Sequence, residues 1–158
     1  MANTQSMCTS FMGELMTATH NFGTAPTRGT SAADTFKGAL YLASATLNAS
    51  TTVYSSTGEV TGTGYSAGGV TVTNANPPVA TNASATAGVA YWTPSASLTY
   101  TSVTLTTAFD AVLIYNSSQS NKAVSVHTFG SQTITAGTFT LTMPASTTTT
   151  ALLRLATT

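Results

Sequence analysis

FDAVLIYNSSQSNKAVSVHTFG, residues 109–130, decides the fold class of this 158-residue chain. Its first arm, Ala111-Val112-Leu113-Ile114-Tyr115, is an unbroken apolar run. Residues 116–121 are polar and of the kind that build turns. The second arm, Ala123-Val124-Ser125-Val126-His127, alternates large apolar residues with small or polar ones. The pattern predicts two antiparallel strands joined by a loop. A run that is apolar on both faces belongs mid-sheet, covered on both sides. The alternating arm needs only its Val124 and Val126 face buried. In a hairpin symmetric about its loop, Leu113 faces Val124 and Asp110 faces His127. A carboxylate beside an imidazole raises the histidine pKa. Ser125 shares the face of His127, but nothing in the spacing completes a catalytic set, and a structural pair at the sheet edge is expected.

Outward from this hairpin the chain reads as strand and turn. TFKGALYLA (residues 35–43), the Val70 and Val72 alternation, VAYWT (89–93) and residues 98–107 are strands, the last with a parity change near Thr101 that marks a bulge. Residues 132–136 and 139–143 read as a second hairpin across Ala136-Gly137-Thr138. ALLRLA (151–156) closes the series, and residues 52–55 form a short strand. Asn76-Pro77-Pro78 stops the strand before it, because proline cannot donate to a central ladder. Residues 79–88 read as a long surface loop. Only residues 8–19 carry a helical stripe, with Met7, Phe11 and Leu15 four apart and Met12 and Met16 beside them. The expectation is an all-β sandwich of about nine short strands, Ig-like or jelly-roll in type, with one N-terminal helix. Residues 1–22 form an N-terminal helical segment, separable from the β-sandwich domain of residues 32–158 across a Gly, Pro and Thr linker. Its helix can dock on its own sandwich or on a neighbour's.

Composition narrows function by exclusion. Four Lys and Arg against four Asp and Glu make 5% charged residues and a net charge of zero, against about 25% charged in a typical domain. No basic footprint for nucleic acid or an anionic membrane exists. No apolar run approaches the ~20 residues of a membrane helix. The start, MANTQSMCTSF, has neither a basic region nor a long apolar core, so no signal peptide is expected. Threonine is the commonest residue, at 36, and it favours strands. So weakly charged a surface suits a protein that works packed in an assembly.

No chemical motif emerges. Cys8 is the only cysteine, which excludes an internal disulfide and a multi-cysteine metal site. His20 ends the predicted helix, where a cation is mildly favoured. Glu14, Asp34, Glu59 and Asp110 are scattered, and no glycosidase pair is suggested. Gly62-Thr63-Gly64-Tyr65-Ser66-Ala67-Gly68-Gly69 lacks the following helix that a phosphate loop requires and reads as a tight bend. Asn48, Asn82 and Asn116 head glycosylation-type triplets that arise by chance in so Ser- and Thr-rich a chain. Tyr91, Trp92 and Tyr100 are core residues or, in the alternative, a sugar-stacking platform. No catalytic, cofactor-binding or metal-binding residue is assigned, no cofactor is expected, and an enzyme is the least favoured class.

Three stretches carry a resemblance: Met7-Cys8-Thr9-Ser10-Phe11 with Glu14-Leu15; DTFKGALYLASATLNASTTVYSSTGEVTGTGYSAGGVTV, residues 34–72; and AVLIYNSSQSNKAVSVHTFG, residues 111–130. Together they resemble a family of small β-rich structural proteins of tailed bacteriophages. The likeness covers most of the chain except the Pro-rich loop after Asn76. It implies a virion component, assembled in the host cytoplasm, with no catalytic residues to carry over. The expected function is a capsid decoration or cement protein that binds the major capsid protein and is itself a homo-oligomer. A tail, adaptor or fibre-associated component of the same virion is the alternative. A carbohydrate-binding module for host attachment is a further one.

Overall fold

The apolar runs become strands in the computed structural model, which describes residues 2–16, 18–22, 33–74, 78–81 and 88–156. In chain order these are β1 (Ser6–Met7), α1 (Thr9–Met16), β2 (Phe36–Leu42), β3 (Val70–Thr71), β4 (Val79–Ala80), β5 (Val89–Trp92), β6 (Leu98–Asn116), β7 (Lys122–Leu141) and β8 (Leu153–Ala156). They form two antiparallel sheets, one ordered β1-β7-β6-β2-β3 and the other β4-β5-β8. The result is an all-β sandwich with one short helix, as the pattern predicts.

β6 and β7 are the frame. The expected arms run mid-sheet, and Ala111 through Asn116 are all buried. The second arm is more enclosed than alternation requires. Ala123 and Ser125 are as buried as Val124 and Val126, because β1 lies along β7 there, pairing Ser6 with Val126 and Met7 with Ser125.

The strands are also longer than the local signals imply. β6 spans 19 residues and β7 spans 20. The second hairpin expected across 136–138 does not form. β7 runs straight through, pairing Gly137 with Val103 and Phe139 with Tyr100. β6 supplies a partner strand already in place, so Ala136, at φ 48°, and Ser102, at φ 54°, serve as left-handed bulge residues on facing strands. The parity change near Thr101 is this bulge.

Residues 98–105 lie over β2. The Tyr100 hydroxyl donates to the Gly38 carbonyl at 2.8 Å. A Cβ on Gly38 would stand 2.6 Å from Leu98 Cδ1, so glycine allows the close approach. The glycine-rich bend backs this ribbon, and Gly64 and Gly69 are in left-handed conformations at φ 78° and 71°. Two other expectations change in detail, and one strand is new. Residues 52–55 contribute only the bridge from Val53 to Lys122. The 79–88 segment begins with β4, paired to β5, and residues 82–87 lie outside the described residues. β1 is a strand too short for periodicity to show.

Between the sheets the core is aromatic. Phe22 stacks on Phe36 at 4.3 Å and meets Trp92 edge-on at 4.7 Å. Phe11 packs edge-on against both His20 and Phe22. The N-terminal residues thus contribute Cys8, Phe11 and Phe22 to the same buried cluster as the strands.

Candidate functional site

The hairpin register decides where the chemically able side chains stand. Asn116 pairs with Lys122, Leu113 with Val126, and Val112 with His127. This register is two residues away from the symmetric expectation, for two reasons. Ser120 and Asn121, at φ 52° and 59°, tighten the turn so that it closes on Asn116. Val124 is then an extra residue opposite the step from Tyr115 to Ile114. Asp110 and His127 are therefore not cross-strand neighbours. The Asp110 carboxyl accepts a hydrogen bond from Asn3 Nδ2 at 2.7 Å instead.

His127 partners Ser125, with Nε2 2.9 Å from Oγ. Both line a groove of about 380 Å³ with Gln5, Thr150 and Arg154. Burial pushes the His127 imidazole down to about 4 rather than up. A ring so weakly basic is a poor acceptor for a serine proton at neutral pH. Among the described residues no carboxyl group bonds its other nitrogen, and Ser125 is only 1% exposed. The pair shares a face, as expected, and among the described residues no carboxylate joins it to complete a catalytic set.

A second polar cluster ties the N-terminal segment to the hairpin. His20 lies beyond the end of α1, with Nε2 2.7 Å from Glu14 Oε2 and Nδ1 3.1 Å from Asn116 Nδ2. Asn116 also donates to Asp34 Oδ2 at 2.7 Å. Lys122 Nζ donates to Glu14 Oε1 at 2.6 Å. Burial pushes the Glu14 carboxyl up, but hydrogen bonds and charge from Lys122 and His20 outweigh it and hold it below the usual range. Two acids that are far apart in sequence, Glu14 and Asp34, thus join one network. Asn116 is fully buried within it. Cys8 is buried as well, and burial, with the nearby Glu14 charge, pushes its thiol up to about 11. A thiol held protonated is a poor nucleophile at neutral pH.

Glu59 anchors a third cluster that sequence reasoning missed. Its Oε2 accepts from the Tyr54 hydroxyl at 2.6 Å, and its Oε1 accepts from the Tyr65 hydroxyl and the Gly68 amide, both at 2.7 Å. The Tyr115 hydroxyl donates to the Gly68 carbonyl at 2.8 Å. Burial first, then Glu59, raises the pKa values of Tyr54, Tyr65, Tyr100 and Tyr115. This cluster clamps the glycine-rich bend onto the sheet. The only sequence signal was a lone acid set among tyrosines, without periodicity to connect them.

Two members of the aromatic platform are core residues, and Tyr91 is half-buried. Trp92 and Tyr100 are each 3% exposed, and Trp92 Nε1 donates to Asn74 Oδ1 at 2.8 Å. Asn48 is half-buried, and Asn82 lies outside the described residues. Among the described residues no group of His, Cys, Asp and Glu could hold a metal ion.

The distal parts of β6 and β7 present uncharged side chains outward. Thr99, Thr106 and Thr107 of β6 and Thr133, Thr135, Thr138 and Thr140 of β7 are exposed. No Asp, Glu, Lys or Arg occurs between Lys122 and Arg154. In comparison with known proteins, no family model, no curated protein and no solved structure matches the chain.

Proposed function

We propose that the chain is a structural protein of a tailed-phage virion that coats the head shell as a decoration protein. The observation that carries this reading is the resemblance of residues 34–72 and 111–130 to phage structural proteins. Those segments supply β2, β3, the buried part of β6 and the paired start of β7, which together frame the larger sheet. The outward chemistry supports it. A ribbon of threonines without charge suits repeated contact with like or neutral surfaces, and many weak contacts suffice where engagement is multivalent. The buried polar clusters supply rigidity, and among the described residues no nucleophile, base and orienting acid stand together. The experiment is a copy count in purified virions against the major capsid protein, with density located over the head lattice. Hundreds of copies on the head support decoration. A handful confined to the tail would instead establish the tail-component reading.

A further inference from the structure

β7 is covered by a neighbouring strand for only part of its length. β1 pairs with Ser125 and Val126, Cys8 N donates to the Val124 carbonyl, and Gln5 stands beside Thr128. From residue 129 to residue 141 the outer edge of β7 has no backbone partner among the described residues. That edge is roughly 40 Å long at the usual rise per residue.

Exposed edges are normally blunted by charge, by proline, by bulges or by a covering element, because unpaired N–H and C=O groups recruit another strand. Residues 129–141 contain no charged residue and no proline. Their inner face is firmly held, with Phe129, Ile134, Phe139 and Leu141 packed on the core. Phe139 meets Phe109 edge-on at 5.1 Å. The strand is thus ordered and long; its blunting is confined to bulges such as that at Ala136, and no charge in it repels a second strand.

We infer that residues 129–141 of β7 pair antiparallel with the same residues of a second copy, making one continuous sheet across a two-fold axis. Such an interface is self-complementary, because each residue meets on the partner the one that meets it in return. An uncharged edge meets itself without like-charge cost, and a chain of zero net charge adds no long-range repulsion between copies. The pairing would form roughly ten backbone hydrogen bonds, comparable with a typical protein interface. In that register Thr135 faces its own copy at the two-fold axis, while Thr133 and Thr140 lie opposite the glycines Gly137 and Gly130. The inference rests on the decoration reading for its setting, where it gives the homo-oligomer a specific seam.

The test uses the purified full chain alone. Sedimentation across a concentration series should give a species of twice the 16.0 kDa chain mass. Lysines at Thr133→Lys with Thr140→Lys should return it to a single chain with an unchanged circular dichroism spectrum. Thr99→Lys with Thr106→Lys, one strand inward, should leave the dimer intact. Hydrogen exchange at residues 129–141 should slow as concentration rises. A wild-type chain that stays monomeric, or rapid exchange of these amides at every concentration, would overturn the inference. So would a dimer that survives the β7 lysines, or one that both lysine pairs dissolve. Binding to undecorated heads is measured separately. A dimer that binds no head removes the decoration reading alone, whereas a monomer that binds heads removes the dimer alone and leaves the edge to a shell protein.

Discussion

His127 Nε2 sits 2.9 Å from the Ser125 hydroxyl, two residues back on the same face of β7. Burial pushes this imidazole down to about 4 from an ordinary value of 6.5. A folded-state pKa below the unfolded one means that the unfolded chain binds the proton more readily. The stabilisation is fully present above about pH 6.5 and is lost as pH falls through 4. The expected loss by pH 4 is on the order of 2 kcal/mol, because a tenfold change in proton affinity is worth about 1.4 kcal/mol and solvent at the partly exposed ring screens some of it. Thermal melts between pH 7 and pH 4 should fall less steeply for His127→Asn than for wild type. Parallel curves would remove His127 as the acid-sensitive group.

Glu59 receives three hydrogen bonds in a buried setting. Glu59→Ala leaves two tyrosine hydroxyls and the Gly68 amide without that partner, at an expected cost of about 3 kcal/mol. Tyr65→Phe loses one bond to Glu59 and the bond from the Leu40 amide, and should cost about 1–2 kcal/mol. Denaturant midpoints at constant slope check both. Equal stability of all three proteins would mean that the clamp contributes nothing.

The glycine-rich bend offers a sharper contrast. A Cβ on Gly69 would stand 1.7 Å from the Gly38 carbonyl oxygen, and the residue is at φ 71°. Gly69→Ala should therefore destabilise by more than about 3 kcal/mol or prevent folding. At Gly130 the nearest atom to a built Cβ is 4.0 Å away, so Gly130→Ala should change stability by less than about 1 kcal/mol. Expression yield and melting temperature of the pair read the difference.

The helical stripe and linker make residues 1–22 look dispensable to the sandwich, and their packing argues for the opposite outcome. Cys8 and Phe11 are buried, and Thr4 N donates to the Leu47 carbonyl at 2.8 Å. Phe11→Ala should cost about 3 kcal/mol. Deleting residues 1–22 should leave an unfolded or aggregating chain, since it also uncovers β7 at residues 124–126. A deletion variant with a cooperative melt near that of wild type would restore the separable-arm view.

The alternation of Thr, Val and Leu, the double-sided apolar run at residues 111–115 and the polar 116–121 turn were enough to determine an all-β sandwich with a central hairpin, because burial on one face or two imposes a period that local sequence must carry. Strand length was not legible in the same way. Ala136-Gly137-Thr138 is a turn signal by its residues alone, and only the presence of residues 98–105 as a partner strand made it a bulge. The hairpin register shifted by two residues because a tight turn and one extra residue at Val124 are set by neighbours on both sides. That shift separated Asp110 from His127. The His20 cluster joins residues from both ends of the chain, and Glu59 bonds nearby residues of an irregular bend that has no period; no local pattern encodes either. Tertiary structure alone chose those partners, since hydrogen-bonding geometry exists only after the sheets have packed.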